Sequence, residues 1–454
     1  MLPSYSQVVA LLVSLAAYAG LAYATPRENF GQLASLFAVA LLAYAWLLRS
    51  RLSWRWGLTA ALVFRLLWLP ATPAFSDDVH RFRWDGLLVA NGVNPFQFRP
   101  DEIIADGART AIRDEQKRNQ ALPELQQLYR RLNSPHYYSV YPPVCQYVFG
   151  AAAWAFPNSD VGFAVGLRAV LLLAEAGVAW LLLALLAGVG TRPEQALRYL
   201  LHPLVIVELT GNLHFEGLVL CFLLLALWLL SRSRWLGSAV ALGLGVATKL
   251  LPLLALPLLV RRLGWRHFLG YAAICGGTLA VLFSPFLSVE LFINISRSLN
   301  LYFRSFEFNA SIYYLLRPLG IWLTSYNQIA VIGPALALLS GLSGLVLAWR
   351  ERRPSLSTLP QALLLLLTVY FALATTVHPW YLTLLIGLSA LTRFRYPLVW
   401  GGMAVLSYAA YQTRAYTENL LLIGLEYAVT LAVLGWEVLR QPTATSSALA
   451  DKSD

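Results

Sequence analysis

The sequence predicts an all-α polytopic membrane protein, and three observations carry that expectation. Of 454 residues, 58% are hydrophobic and only 13% are charged, about half the charged share of an ordinary soluble domain. Apolar stretches long enough to span a bilayer recur along the whole chain. They lack the alternation of barrel strands, and inside hydrocarbon every backbone N–H and C=O must be satisfied within its own segment or in a closed barrel, which leaves helices.

The net charge of +11 would point to nucleic acid in a soluble chain. Here the basic residues gather at the ends of apolar runs, so the charge reports orientation and implies no nucleic-acid partner. Arg49, Arg51 and Arg55, then Arg192 and Arg198, Arg232 and Arg234, Arg261, Arg262 and Arg266, Arg350, Arg352 and Arg353, Arg393 and Arg395, and Arg440 mark the cytoplasmic turns. Spans near 5 to 24, 31 to 48 and 57 to 71 carry the chain outward. The first ends in Ala22-Tyr23-Ala24, which looks like a signal-peptidase site. It has no basic leader and a second apolar run follows at once, so it reads as a retained anchor.

Residues 72 to 160 form a large first external loop with juxtamembrane helices. Within it Leu122, Leu125, Leu128 and Leu132 recur at helical spacing and predict an amphipathic helix lying on the membrane surface. The run from 141 to 156 reads as a short external or re-entrant helix, because a full crossing there would put Arg192, Arg232 and Arg234 outside. Spans follow near 161 to 187, 197 to 211 and 215 to 231. Residues 235 to 260 carry Lys249 and Pro252 mid-run, which predicts a hairpin broken there. After a span near 268 to 288 comes a second external loop, 289 to 327, and then spans near 328 to 348, 359 to 377, 380 to 392, 396 to 411 and 419 to 439. The total is roughly 12 to 14 crossings. Residues 1 to 440 are expected to form one integral membrane domain and 441 to 454 a disordered cytoplasmic tail, with both termini cytoplasmic. Cys145, Cys221 and Cys275 are odd in number and lie in apolar sequence, so they read as packing residues and imply neither disulfides nor a zinc site.

On this threading the unusual polar residues converge on the non-cytoplasmic side. Asp77 and Asp78 stand directly after a span in SDDVHRFRWDG, followed by His80, Arg81 and Asp85. Adjacent carboxylates repel, and Arg81 at helical spacing is their expected partner. A solvated helix cap is the structural alternative. As a functional group, one carboxylate serves as general base toward a hydroxyl, which is a weak nucleophile at neutral pH. Lys249 in ATKLLP and His378 in HPWY lie near the outer ends of apolar segments. Either Lys249 snorkels to the interface or, with His378, it contacts a lipid-linked phosphate. His214 and Glu216 belong to the same outer edge.

The order SDDVHRFRWDG, GVNPF, YPPV, GNLHFEG, TKLLP, FNASIYYLL, HPWY over about residues 70 to 385 resembles the bacterial mannosyltransferase-like branch of the GT-C glycosyltransferases, distantly similar to GPI mannosyltransferase I. That resemblance implies a GT-C-like fold and an inverting transfer of a hexose, mannose by preference, from a polyprenyl-phosphate donor to a lipid or glycan acceptor. It places the catalytic carboxylate at Asp77 or Asp78 and reads the segment at Tyr141 as a juxtamembrane helix; beside it, the residues themselves suggest donor contacts at Arg81, Lys249 and His378, and acceptor or cavity contacts at His80, Asp85, Tyr141, His214, Glu216, Trp380 and Tyr381. It implies a bacterial cell-membrane protein surrounded by lipid, with no nucleotide-binding domain and no obligatory cofactor, although paired carboxylates are also able to hold a divalent ion. Glu216 departs from the Asp expected in its motif. A flippase or carrier of lipid-linked sugar is the competing reading, though transporters more often place ionisable groups at mid-membrane on broken helices.

Overall fold

The computed structural model describes residues 2 to 413 and 416 to 440; the expected cytoplasmic tail, 441 to 454, lies outside them. The first three helices are α1 (Tyr5–Tyr23), α2 (Phe30–Arg49) and α3 (Trp54–Leu67), and side chains cap the first two, Ser4 accepting from Gln7 N and Asn29 from Gln32 N. Gln7 donates to the Ser50 carbonyl at 3.0 Å, joining the start of α1 to the end of α2. The Tyr23 hydroxyl donates to the Leu67 carbonyl, joining the end of α1 to the end of α3. Arg49, Arg51 and Arg55 therefore stand at the opposite end of these helices from Arg27 and from the chain's exit into the polar segment.

That segment folds into α4 (Asp78–Ala90), α5 (Pro100–Ala105) and α6 (Glu115–Tyr129). The leucine stripe of α6 does not lie on a membrane surface as expected. Leu125 and Leu128 are fully buried in a core shared with Trp84 and Leu88 of α4, and Arg83 pairs with Glu124 at 2.8 Å. The stripe meets protein because α4 supplies both its apolar partner and its counter-charge.

The next helix, α7 (Pro143–Ala155), has 13 residues, about 20 Å at 1.5 Å per residue, too short for a hydrocarbon core of about 30 Å. It packs on α4 through facing glycines: a Cβ at Gly86 would sit 2.5 Å from the Phe149 carbonyl oxygen, and one at Gly150 would strike Val89. The long α8 (Asp160–Gly188) joins two cores. Its first half packs with α4 and α7, and its second half enters the main apolar cluster.

The expected span at 197 to 211 is not one helix. It is built as α9 (Leu197–Leu200), α10 (Pro203–Val205) and a π turn (Ile206–Gly211), followed by a 111° bend into α11 (Glu216–Ser231). Pro203 has no N–H to continue the helix, and the His202 ring caps the restart by accepting from Leu204 N at 3.2 Å. The predicted break in the following segment does occur. The helix α12 (Trp235–Thr248) ends at Lys249, whose backbone is extended, and a 3-10 turn (Leu251–Ala255) leads into α13 (Leu256–Leu263).

The remainder comprises α14 (Trp265–Phe283), α15 (Val289–Ser305), α16 (Ile312–Thr324), α17 (Ile329–Arg350), α18 (Leu359–Leu373), α19 (Thr383–Ser389), α20 (Tyr396–Met403) and α21 (Leu420–Leu439). Among the described residues six helices are long and apolar enough to cross a membrane, or seven with the bent pair. The 12 to 14 expected crossings also counted segments such as 57 to 71, 359 to 377 and 380 to 392, which the structure builds as shorter helices or as pieces divided by 3-10 turns.

Turns bearing basic clusters contact one another. Arg261 donates to the carbonyls of Ala348 and Trp349, Arg262 pairs with Glu351 at 2.6 Å, and Arg198 donates to the carbonyls of Ser389 and Thr392. In the second polar loop, Phe308 pairs with the 375 to 377 strand-like segment (Phe308 N to Thr375 O 3.0 Å, Val377 N to Phe308 O 2.8 Å), which sets that loop beside His378.

Candidate active site

A helical hairpin brings together two ionised groups far apart in sequence. Because α11 and α12 have 16 and 14 residues and a tight turn between them, the first residue of α11 and the residue just after α12 finish level. These are Glu216 and Lys249. The ammonium donates to the Glu216 carboxylate and lies 3.8 Å from the centre of the Tyr381 ring. Glu216 is 3% exposed, whereas Lys249 keeps 34% of its side chain open. The cation is therefore anchored on one side and accessible on the other.

Asp77 and Asp78 face different partners. Asp77 is the N-cap position of α4 and pairs with Arg27, from the α1–α2 turn, at 2.9 Å. Arg27 in turn stacks over Tyr411 at 4.6 Å. Asp78, the first residue of α4, receives a hydrogen bond from the Tyr141 hydroxyl and feels both Lys249 and Glu216. Burial first, then the Asp77 charge, pushes its carboxyl up to about 6, against the pull of Lys249 and Tyr141. Burial, followed by the Asp78 charge, holds the Tyr141 hydroxyl well above its usual range, so it stays a proton donor to Asp78. Tyr141 is fixed edge-on between Phe82 at 5.0 Å and Phe149 at 5.6 Å. The α4–α7 glycine contact thus aligns Asp78 with Tyr141.

Beside this cluster runs a stack of rings. His214 lies on Trp380 at 3.7 Å, Trp380 on His378 at 4.3 Å, and His378 against Phe308 at 4.8 Å. His214 Nε2 and His378 Nδ1 are buried without a hydrogen-bond partner. The loop carrying His214 is braced from several directions. Arg168 donates to the carbonyls of Leu69, Thr210 and Gly211 at 2.9, 2.9 and 3.0 Å. Glu208 accepts from Tyr408 at 2.6 Å and from Asn212 at 3.0 Å, and Asn212 accepts from Phe75 N at 3.3 Å. This last bond ties the loop to the segment that delivers the acidic pair.

Of the expected residues, the structure therefore gathers Asp78, Tyr141, Glu216, Lys249 and Tyr381, with His214, Trp380 and His378 adjoining. Asp77 stands beside them, paired with Arg27. Three others go elsewhere. Arg81 is not paired with Asp77 or Asp78: its Nε pairs with Asp85 at 2.9 Å and its Nη1 donates to the carbonyls of Ser134 and Tyr137, while its Nη2 is buried without a partner. Asp85 is fully buried and also accepts from Ser139 and Gln146, so it is a brace under Tyr141 and not a cavity wall. His80 is half-buried between Asp77 on one side and Arg131 and Asp160 on the other, and burial first, then Arg131, lowers its pKa. Among the described residues, no three His, Cys, Asp or Glu side chains gather in a metal-binding arrangement.

Sequence reasoning missed Arg27. Its signal was present: a lone arginine in the α1–α2 turn, at the opposite end of these helices from Arg49, Arg51 and Arg55. Glu208 and Tyr408 carried no local signal, whereas Asn212 stands in the GNLHFEG motif. Residues 6–264, more than half of the chain, match the family model for the N-terminal domain of alpha-(1->6)-mannopyranosyltransferases, the MptA_B family. No curated protein matches the chain.

Proposed function

The chain belongs to the alpha-(1->6)-mannopyranosyltransferase family, an integral membrane glycosyltransferase of GT-C-like, all-helical build, and from that premise we propose that it moves mannose from a polyprenyl-phosphate donor to an acceptor hydroxyl on the non-cytoplasmic face. The observation that carries this reading is Asp78. Its carboxyl, pushed up to about 6, is ionised at neutral pH yet basic enough to take a proton, and a base poised near the working pH is the most effective kind.

In the proposed reaction Asp78 accepts the proton of the acceptor hydroxyl as that oxygen attacks the anomeric carbon. The bond from that carbon to the phosphate oxygen breaks on the opposite face, which inverts the centre. The departing polyprenyl phosphate gains negative charge, and the accessible side of Lys249 stabilises it more than it stabilises the uncleaved donor. Glu216 and the Tyr381 ring hold the ammonium in place. The stack of His214, Trp380 and His378 presents a flat, partly polar wall beside it. Asp77, through Arg27 and Tyr411, positions the start of α4. A carboxylate base seated in the polar segment favours chemistry over carriage.

Two tests apply. Membranes from overexpressing cells supplied with labelled polyprenyl-phosphate mannose should form a labelled mannosylated product; no product would defeat the donor assignment. A reporter inserted near Gly107 should behave as external and one at the C-terminus as cytoplasmic. The same side for both would defeat the assignment of faces.

A further inference from the structure

A cavity of about 460 Å³ opens away from the carboxylates, between α5 with its flanking loops and α15. Its polar lining includes Glu102, Asp106, Thr110, Glu290 and Arg297, and its apolar surface includes Phe98, Ile103, Ile293 and the Tyr138 ring. Three carboxylates line the cleft with one guanidinium, and Arg99, paired with Glu102 and 5.9 Å over one face of the Tyr138 ring, adds a second cation at its edge, so the balance stays acidic. Glu102 already serves Arg99, accepting from its side chain at 3.0 Å and its backbone at 2.9 Å. Asp106 is different. One carboxylate oxygen accepts from Thr110 N at 2.9 Å, and the backbone of Ala108 and Arg109 also serves the carboxylate at the cleft's edge. A carboxylate has more lone pairs than these bonds use, and a sugar hydroxyl is a donor able to reach them. Burial pushes the Asp106 carboxyl up, but hydrogen bonds from Thr110, Ala108 and Arg109 outweigh it and hold it below the usual range, so it remains an acceptor.

The cleft adjoins the site. Tyr138 lies three residues before Tyr141, a separation of at most about 11 Å even when fully extended, and Tyr141 donates to Asp78. The intervening chain is held by Arg81 at Tyr137 and by Ser139 at Asp85. An aromatic face, an apolar floor and hydroxyl-seeking carboxylates suit a neutral polyol.

We propose that this cavity is a glycan subsite, which holds neutral sugar residues of the acceptor set back from the hydroxyl that receives mannose, with Asp106 and Tyr138 as its specificity-determining residues. The proposal rests on the transferase function above.

Ile293, on the rim and 47% exposed, provides a local probe. Alkylation of Ile293→Cys by iodoacetamide should slow by roughly 10-fold or more in the presence of a neutral α-linked manno-oligosaccharide. Adding Asp106→Asn or, separately, Tyr138→Ala should raise the protecting concentration by about 10-fold. Inorganic phosphate should not protect. Absence of protection at any soluble oligosaccharide concentration, equal protection by phosphate, or protection indifferent to both substitutions would overturn the subsite. Labelling requires no turnover: protection without mannose transfer leaves the subsite and removes the transferase function, and transfer without protection does the reverse.

Discussion

Replacing Asp78 with Asn retains the shape of the side chain and removes its basicity. Transfer requires the carboxylate, so the catalytic efficiency of the parent protein should be level above a pH of about 6 and fall about tenfold per unit below it, as the carboxyl protonates. Asp78→Asn should lose on the order of 100-fold or more, about 2.7 kcal/mol at 1.36 kcal/mol per decade, and should lose the acid limb as well. The neighbours set the sign of two further shifts. Asp77 raises the Asp78 carboxyl and Lys249 lowers it, so the limb should move to lower pH in Asp77→Asn and to higher pH in Lys249→Met. Initial rates of mannose transfer in liposomes, at matched protein and between about pH 5 and 8, provide the measurement. Parent-level turnover in Asp78→Asn, or a limb that stays fixed in Asp77→Asn, would refute the assignment of the base.

Lys249→Met should cost roughly 10-fold to 150-fold in catalytic efficiency, the loss of a charge-assisted contact worth about 1.5 to 3 kcal/mol. Because it also strands the buried Glu216 carboxylate, the double variant with Glu216→Gln should recover thermal stability without recovering transfer; recovery of both would make Lys249 structural. Gly86→Leu should destabilise the protein by about 1 to 3 kcal/mol by forcing α4 off α7, and an unchanged melting temperature would contradict that contact. Asn294 and Asn309 stand in glycosylation sequons, yet both amides are buried and donate, Asn294 to the Phe96 carbonyl at 2.9 Å and Asn309 to Glu426 at 3.2 Å. Expression in a glycosylating host should therefore leave both unmodified by mass spectrometry, and an occupied sequon would mean that these loops open.

Local pattern revealed much of this molecule and misled where partners are distant. Lys249 and Pro252 in an apolar run announced the break that sets the ammonium at the end of α12, because proline and an intramembrane charge each act within a turn. The four leucines of α6 announced a helix but not its partner, since an apolar stripe suits lipid and α4 alike. Arg81 illustrates the same limit. Its spacing to Asp77 and Asp85 allowed either partner, and only the loop carbonyls at Ser134 and Tyr137 decide for Asp85. The bond from Tyr408 to Glu208 joins residues 200 apart, and the pair between Arg27 and Asp77 spans 50. Neither follows from any periodicity. The expected span at 197 to 211 failed at Pro203, where an apolar composition concealed a missing donor.

The central claim is that mannose comes from a lipid phosphate and leaves on an acceptor oxygen deprotonated by Asp78. Its most direct test is the purified protein in liposomes, given either labelled polyprenyl-phosphate mannose or labelled GDP-mannose, in parent and Asp78→Asn forms. The expected result is product from the lipid donor alone, with an anomeric configuration opposite to the donor's, and a loss of about 100-fold or more in Asp78→Asn. Product from GDP-mannose alone, retention of configuration, or equal yields from the two forms would contradict it.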